Sequence, residues 1–183
     1  IIDNDVIEIK NLNRQFIYKE QDKGKFKVDI ASKFIEEANS EIEVQVFKER
    51  FTSQNANRIM ENYDLIIDCC DNVETRLVLD KACSETDKPF VYGAVGDFQG
   101  QVSVFNYKKG IRYIHLFQEE KAFSCINTCE ETGITGYCCS FAASLQVNEA
   151  VKILLNLGNV SEGELITFDL IELALRKFKF FQT

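Results

Sequence analysis

Apolar positions along this chain change their period in a regular order, and that order predicts the elements. Ile1-Ile2-Asp3 reads as the end of a buried strand, and Asn11 to Phe16 as a short helical turn. From Gly24 to Asn39, Val28, Ala31, Ile35 and Ala38 recur at helical spacing. Glu41 to Lys48 alternates, with Ile42, Val44 and Val46 on one face, and predicts a strand. A short helix over 55–62 follows, then the compact apolar strand Tyr63 to Asp68, of the kind found in sheets covered on both faces. A helix over Val73–Thr86 leads to Pro89, the only proline, which introduces a strand over Phe90–Ala94. This alternation predicts an α/β fold with right-handed crossovers and a doubly wound parallel sheet in its N-terminal half.

The period then changes. Gln101 to Phe105 alternates as a strand, and the Val95–Gly100 connection before it suits an antiparallel hairpin but is too short for a parallel crossover. Residues 107–135 carry little regular signal, and irregular stretches of that length are usually functional or mobile. Phe141 to Leu157 is apolar nearly all round, which predicts a buried helix. Segments 163–169 and 173–180 predict two closing strands. The sheet is therefore expected to be mixed, parallel first and antiparallel in the C-terminal half. With 183 residues and no linker, repeat or low-complexity tract, one domain is expected.

Composition narrows the partners. A formal charge of −8 disfavours nucleic acid and anionic membrane surfaces, since phosphate-rich partners call for a basic face. No run approaches the roughly 18 apolar residues of a membrane span, and no signal-peptide pattern opens the chain. Seven cysteines, an odd count with Cys69, Cys70 and Cys83 in or beside apolar segments, read as reduced thiols of a cytoplasmic protein.

Candidate chemistry lies at the predicted strand ends. Asp3 and Asp5 follow the opening strand, where an acidic residue suits ribose hydroxyls, although acidic residues are common at strand ends in any case. Asn11, Arg14 and Lys27 could hold a polyphosphate beside a helix N-terminus; Lys27 with Lys23 and Lys25 could equally be a solvated face. Asp71 closes the strand ending at Asp68 and suits Mg²⁺, while Asp71 or Asn72 could instead cap the helix that runs through Arg76. No Gly-x-Gly-x-x-Gly occurs anywhere, and the opening strand has nothing before it.

These residues form a longer series. It runs from Asp3-x-Asp5-x-Ile7 through Asn11-Leu12-x-Arg14-Gln15 and Lys27 to Asp71-Asn72-x-x-x-Arg76. Gly93, Phe98-x-Gly100 to Phe105, Cys129-Glu130-x-x-Gly133 and Ser144-Leu145-Gln146-x-x-Glu149-Ala150-x-Lys152 follow. The series resembles the ThiF/MoeB/HesA family of ubiquitin-activating-type adenylyltransferases across the whole chain. The resemblance implies a Rossmann-like adenylation domain at 1–183 that lacks its first strand, glycine-rich loop and helix. It further implies ATP and Mg²⁺ as cofactors, with Asp3 on the ribose, Asn11, Arg14 and Lys27 on the phosphates, and Asp71 on the metal. Arg14, Asp71 and Cys129 would be the catalytic residues, Cys129 as a sulfur or acyl carrier.

The implied partner is a small ubiquitin-like sulfur carrier of thiamin or molybdopterin synthesis, whose terminal Gly-Gly carboxylate becomes an acyl-adenylate. A homodimer is implied as well. Many members hold zinc with two Cys-x-x-Cys pairs. The first would fall near Arg112 and His115, and neither pair is present, so no zinc is expected and His115 is expected to be an ordinary loop residue. A zinc cluster of Cys125, Cys129, Cys138 and Cys139 lacks paired spacing. Three alternatives stay open: adenylation of another peptide carboxylate, an inactive partner subunit, and a nicotinamide dehydrogenase, to which Arg14 and Lys27 would be superfluous.

Overall fold

The computed structural model describes residues 1–117 and 134–180. It divides into two compact units, Ile1–Thr52 and Ser53–Thr183.

In the first unit, helix α1 spans Lys27–Ala38 and buries Val28, Ala31 and Ser32. Of the stripe read from the sequence, Val28 and Ala31 are buried, Ile35 is half-buried and Ala38 is exposed. A 3₁₀ turn at Ile9–Asn11 stands near the predicted helical turn. The strand predicted over 41–48 forms only a single bridge. Phe47 pairs in parallel with Ile2, through Asp3 N–H to Phe47 O at 3.2 Å and Phe47 N–H to Ile1 O at 2.9 Å. Ile42 and Val46, expected on a buried face, are exposed. Alternation makes a segment able to be a strand, but a ladder also needs a partner along its length, and here the pairing stops at one residue.

The second unit opens with α2, Ala56–Met60, and β1, Ile66–Ile67. Helix α3, Val73–Thr86, starts where Asn72 accepts from Thr75 N–H at 2.9 Å and stops at Asp87, a left-handed residue at φ 54°. Strand β2, Phe90–Gly96, pairs in parallel with β1 and antiparallel with β3, Gln99–Phe105. The expected change of direction occurs at this hairpin. Strands β4, Glu164–Asp169, and β5, Ala174–Lys179, continue antiparallel, so sequence order is also sheet order. The mixed sheet is the one anticipated.

Period-two alternation puts two different surfaces on β2 and β3. Val91, Val102 and Val104 pack with Ala150, Leu145 and Ile153 of α5, Gly136–Leu155. Phe90, Tyr92 and Phe105 gather with Tyr113 and Phe117, ring centroids 4.7–6.4 Å apart. Tyr113 belongs to α4, Tyr113–Leu116, so part of the stretch expected to be irregular is helical. His115 lies in that turn, not in a loop, and its Nδ1 accepts from Arg112 N–H at 3.2 Å.

Helix α5 is not buried all round. It buries Cys138, Ala142, Gln146, Glu149 and Ala150 and exposes Phe141, Val147, Val151, Leu154 and Leu155. Two polar residues turn inward because partners await them. Gln146 Nε2 donates to Asp68 O at 2.7 Å, and the Glu149 carboxylate accepts from Ser161 N–H and Lys152 Nζ at 2.8 and 2.6 Å. Overall apolarity therefore misstates which side of this helix faces the sheet.

Candidate functional site

In the first unit, the chain from Asp3 to Lys27 folds back on itself. Ile7 N–H donates to Lys25 O and Gly24 N–H to Ile7 O, at 2.9 and 2.8 Å, with Gly24 at φ 81°, where a side chain would be strained. The return brings Lys27, first residue of α1, against Asp5. Its N–H donates to Asp5 O at 3.0 Å and its Nζ to Asp5 Oδ2 at 2.7 Å. Asp3 Oδ1 accepts from Asp5 N–H at 2.8 Å. Tyr18 donates to Lys27 O at 3.3 Å, and burial followed by the Asp3 carboxylate pushes its phenol up to about 12. Asp5 thus links Asp3 to Lys27, although the opening segment forms a single bridge at Ile2 and not the predicted strand.

Asn11 and Arg14 sit on the turn nearby in sequence. Asn11 is buried, and its Oδ1 accepts from Glu8 N–H at 2.9 Å. The carbonyl of Asn11 accepts from the N–H groups of Arg14 and Gln15. Arg14 is half-buried, with Nη1 donating to Asn13 Oδ1 at 3.0 Å and Lys10 O at 3.3 Å.

In the second unit, β1 and β2 separate after Asp68, whose N–H makes a last contact with Val91 O at 2.9 Å. Beyond that point side chains take over the work of a ladder. Gln146 Nε2 reaches Val91 O at 3.2 Å as well as Asp68 O. Arg76 Nη2 donates to Gly93 O at 2.9 Å and also to Cys70 O. Its Nε donates to Asp68 Oδ2 at 2.9 Å, and its guanidinium lies 5.0 Å from the centre of the Tyr92 ring. Burial pushes this guanidinium towards the neutral form, but the buried Asp68 carboxylate more than reverses that, so its pKa is raised. Gly93 is required here, because a Cβ would stand 2.5 Å from the Gln146 amide.

The choice between Asp71 and Asn72 as helix cap has a clear outcome. Asn72 caps α3, and Asp71 stays exposed at the carboxyl end of β1, where its Oδ1 accepts from Asn72 Nδ2 at 3.3 Å. An exposed carboxylate fits Mg²⁺, which takes one or two carboxylates and leaves other positions to water and phosphate. Among the described residues no three His, Cys, Asp or Glu come together as a metal cage. Cys125 and Cys129 lie outside the described residues. Two buried thiols are poor nucleophiles: burial pushes Cys138 up to about 11 and Cys83 to about 12. The thiol of Cys70 is raised further by burial and then Asp68.

Sequence reasoning gave no role to Asp68, Arg76 or Gln146. Arg76 and Gln146 stand in the motif series, which was the available signal for both. The Asp68–Arg76 pairing joins a strand end to a helix and has no local spacing rule.

A model of the ThiF family matches residues 1–183. A probable molybdopterin-synthase adenylyltransferase of Pyropia yezoensis is 40% identical over 183 residues, which are 100% of this chain and 48% of that protein. A sulfur carrier protein adenylyltransferase of Thermus thermophilus is 34% identical over 182 residues, covering 97% of this chain and 67% of the relative. The first of these shows that the chain spans about half the length of such a relative. Among solved structures, E. coli MccB with ATP superposes with a TM-score of 0.80 at 20% identity, covering 97% of this chain and 55% of MccB.

Proposed function

The chain belongs to the ThiF family, and on that premise we propose that the protein adenylates the C-terminal Gly-Gly carboxylate of a small ubiquitin-like sulfur carrier, at the expense of ATP. The family match over residues 1–183 is the observation that carries this reading. A terminal carboxylate oxygen attacks the α-phosphorus, the bond to the β-phosphate oxygen breaks, and pyrophosphate leaves with the bonding pair. Both reactants are anions, so catalysis rests on cations and positioning rather than on a base.

The first unit supplies Asp3 for the ribose and Lys27, Arg14 and Asn11 for the phosphates. Lys27 is suited to this because its present partner, Asp5, is exposed, so a phosphate oxygen can replace that carboxylate at small cost. Asn11 Oδ1 accepts from Glu8 N–H and so holds the turn, and its Nδ2 is the group that would donate to a phosphate oxygen. Asp71 is proposed to hold Mg²⁺, which would supply positive charge to the phosphates. Cys129 is proposed as the thiol that later carries sulfur or the acyl group, without zinc. A homodimer in the cytoplasm is the expected setting. Among the described residues no helix is long and apolar enough to cross a membrane.

The test is ATP–pyrophosphate exchange by the whole protein with a Gly-Gly-ending carrier as acceptor. Exchange is expected, with Asp71→Ala lowering it by roughly 10²–10³-fold. No exchange with any carrier, or an Asp71→Ala variant as active as wild type, would sink the reading. Exchange with a short peptide but not with the carrier would move it to a different carboxylate.

A further inference from the structure

The Asp71 carboxylate is exposed, yet the backbone on each side of it is held. Immediately before it, the Cys70 N–H donates to Asp68 Oδ1 at 2.8 Å and the Cys70 carbonyl accepts from Arg76 Nη2. Immediately after it, Asn72 is fixed as the cap of α3. Arg76 itself has little freedom. It is buried, paired with a buried carboxylate, stacked on Tyr92 and bonded to Gly93 O on the neighbouring strand.

A buried ion pair is a poor way to gain stability, since two charges must be stripped of water and their attraction only roughly compensates. A packed apolar pair would do as well in a position that needed only filling. What the guanidinium does that no apolar side chain can is span a fixed distance with a planar fork, from a carboxylate to one carbonyl on β2 and one on the segment that follows β1. Gln146 does the same one step earlier, bridging Asp68 O and Val91 O. Together they hold β1 and β2 apart where the ladder ends and set where the Cys70–Asn72 segment leaves the sheet.

The geometry points to Arg76 as a positioning residue for Asp71: through the Cys70 carbonyl it holds the carboxylate where a divalent cation on a nucleotide phosphate is met. This rests on the proposed function. Outer groups that orient a metal ligand typically matter by about 10–100-fold in affinity or activity. Arg76→Lys keeps a positive charge for Asp68 but replaces the fork by a single ammonium. Its effect should therefore appear in the metal-dependent part of nucleotide binding alone.

Calorimetry of ATP binding to the whole protein, in EDTA and in excess Mg²⁺, separates the two parts without turnover. In wild type Mg²⁺ is expected to tighten ATP, and Asp71→Ala to remove that gain. Arg76→Lys is expected to shrink the gain about tenfold while leaving affinity in EDTA within about threefold. A gain equal to wild type would overturn the proposal, as would an equal loss with and without Mg²⁺, the mark of general structural damage. If Arg76→Lys does not fold, the double variant Asp68→Asn/Arg76→Gln removes both buried charges together and is held to the same outcomes. Wild-type protein that binds no ATP would overturn the nucleotide reading, and this proposal with it. Tightening by Mg²⁺ that persists in Asp71→Ala would refute the metal role of Asp71 and leave ATP binding intact.

Discussion

Each unit holds one ion pair among or beside its candidate residues. Lys27–Asp5 is 2.7 Å long with its side chains 12% and 60% exposed; Arg76–Asp68 is 2.9 Å long with exposures of 7% and 0%. Their lengths are alike and their surroundings are not. Asp5 keeps most of its hydration, so Lys27 can exchange it for another anion at little cost. Asp68 has given up water altogether and depends on Arg76, so that pair cannot be opened without leaving a charge stranded. A lysine that must accept phosphate needs the first kind of pair, and a frame that must hold a loop needs the second. The same contrast separates a group proposed to meet substrate, Lys27, from those proposed to hold the segment of Asp71, namely Asp68, Arg76 and Gln146.

Truncation tests the contrast most severely. Arg76→Ala should destabilise the protein by about 3–5 kcal/mol, because it strands the Asp68 carboxylate; the urea midpoint of unfolding reads this, and an unchanged midpoint would dissolve the distinction. Lys27→Ala should do the reverse. It should shift stability by no more than about 1 kcal/mol while slowing pyrophosphate exchange by about 10²-fold. A large fall in melting temperature with exchange intact would make Lys27 structural.

Gly93→Ala should cost about 1–3 kcal/mol by driving a methyl group into the Gln146 amide. Gln146→Ala should recover part of that cost in the double variant, since the clash is then gone. Additive losses in that cycle would show that the two sites are not coupled.

The smallest effect at neutral pH comes from the buried thiols. The folded protein holds Cys83 and Cys138 protonated up to about 12 and 11, against an ordinary value of 9.0. Above pH 9 the unfolded chain therefore loses protons that the folded one keeps, and stability falls with rising pH. The melting temperature should be level from pH 7 to 9 and decline from 9 towards 12, with the slope reduced in Cys138→Ala. A decline that begins below pH 9 would point to other groups.

Much of this was legible along the chain. The stripe Val28–Ala31, the helix Val73–Thr86 and the hairpin after Pro89 follow from period, cap and connection length, which are local. The strand over 41–48 and the buried helix 141–157 were misread for one reason. Period says that a face is apolar, and only a neighbour decides whether that face is covered. Asp3, Arg14, Lys27 and Asp71 were legible as a series of residue types at strand and helix ends. Which of Asp71 and Asn72 caps α3 was not, because both side chains can accept a hydrogen bond from a helix N-terminus.

Sequence alone determined the order and kind of most elements, the change from parallel to antiparallel pairing, and the residue types available for phosphate and metal. These follow from covalent spacing and short-range preference. The tertiary structure decided that Gln146 and Glu149 face inward from an apolar helix, that Asp68 and Arg76 meet, and that Asp71 is left exposed between two clamped neighbours. Those outcomes depend on contacts across 8 to 78 residues of chain. There the cost of burying a charge or an amide is met only by partners that folding brings together.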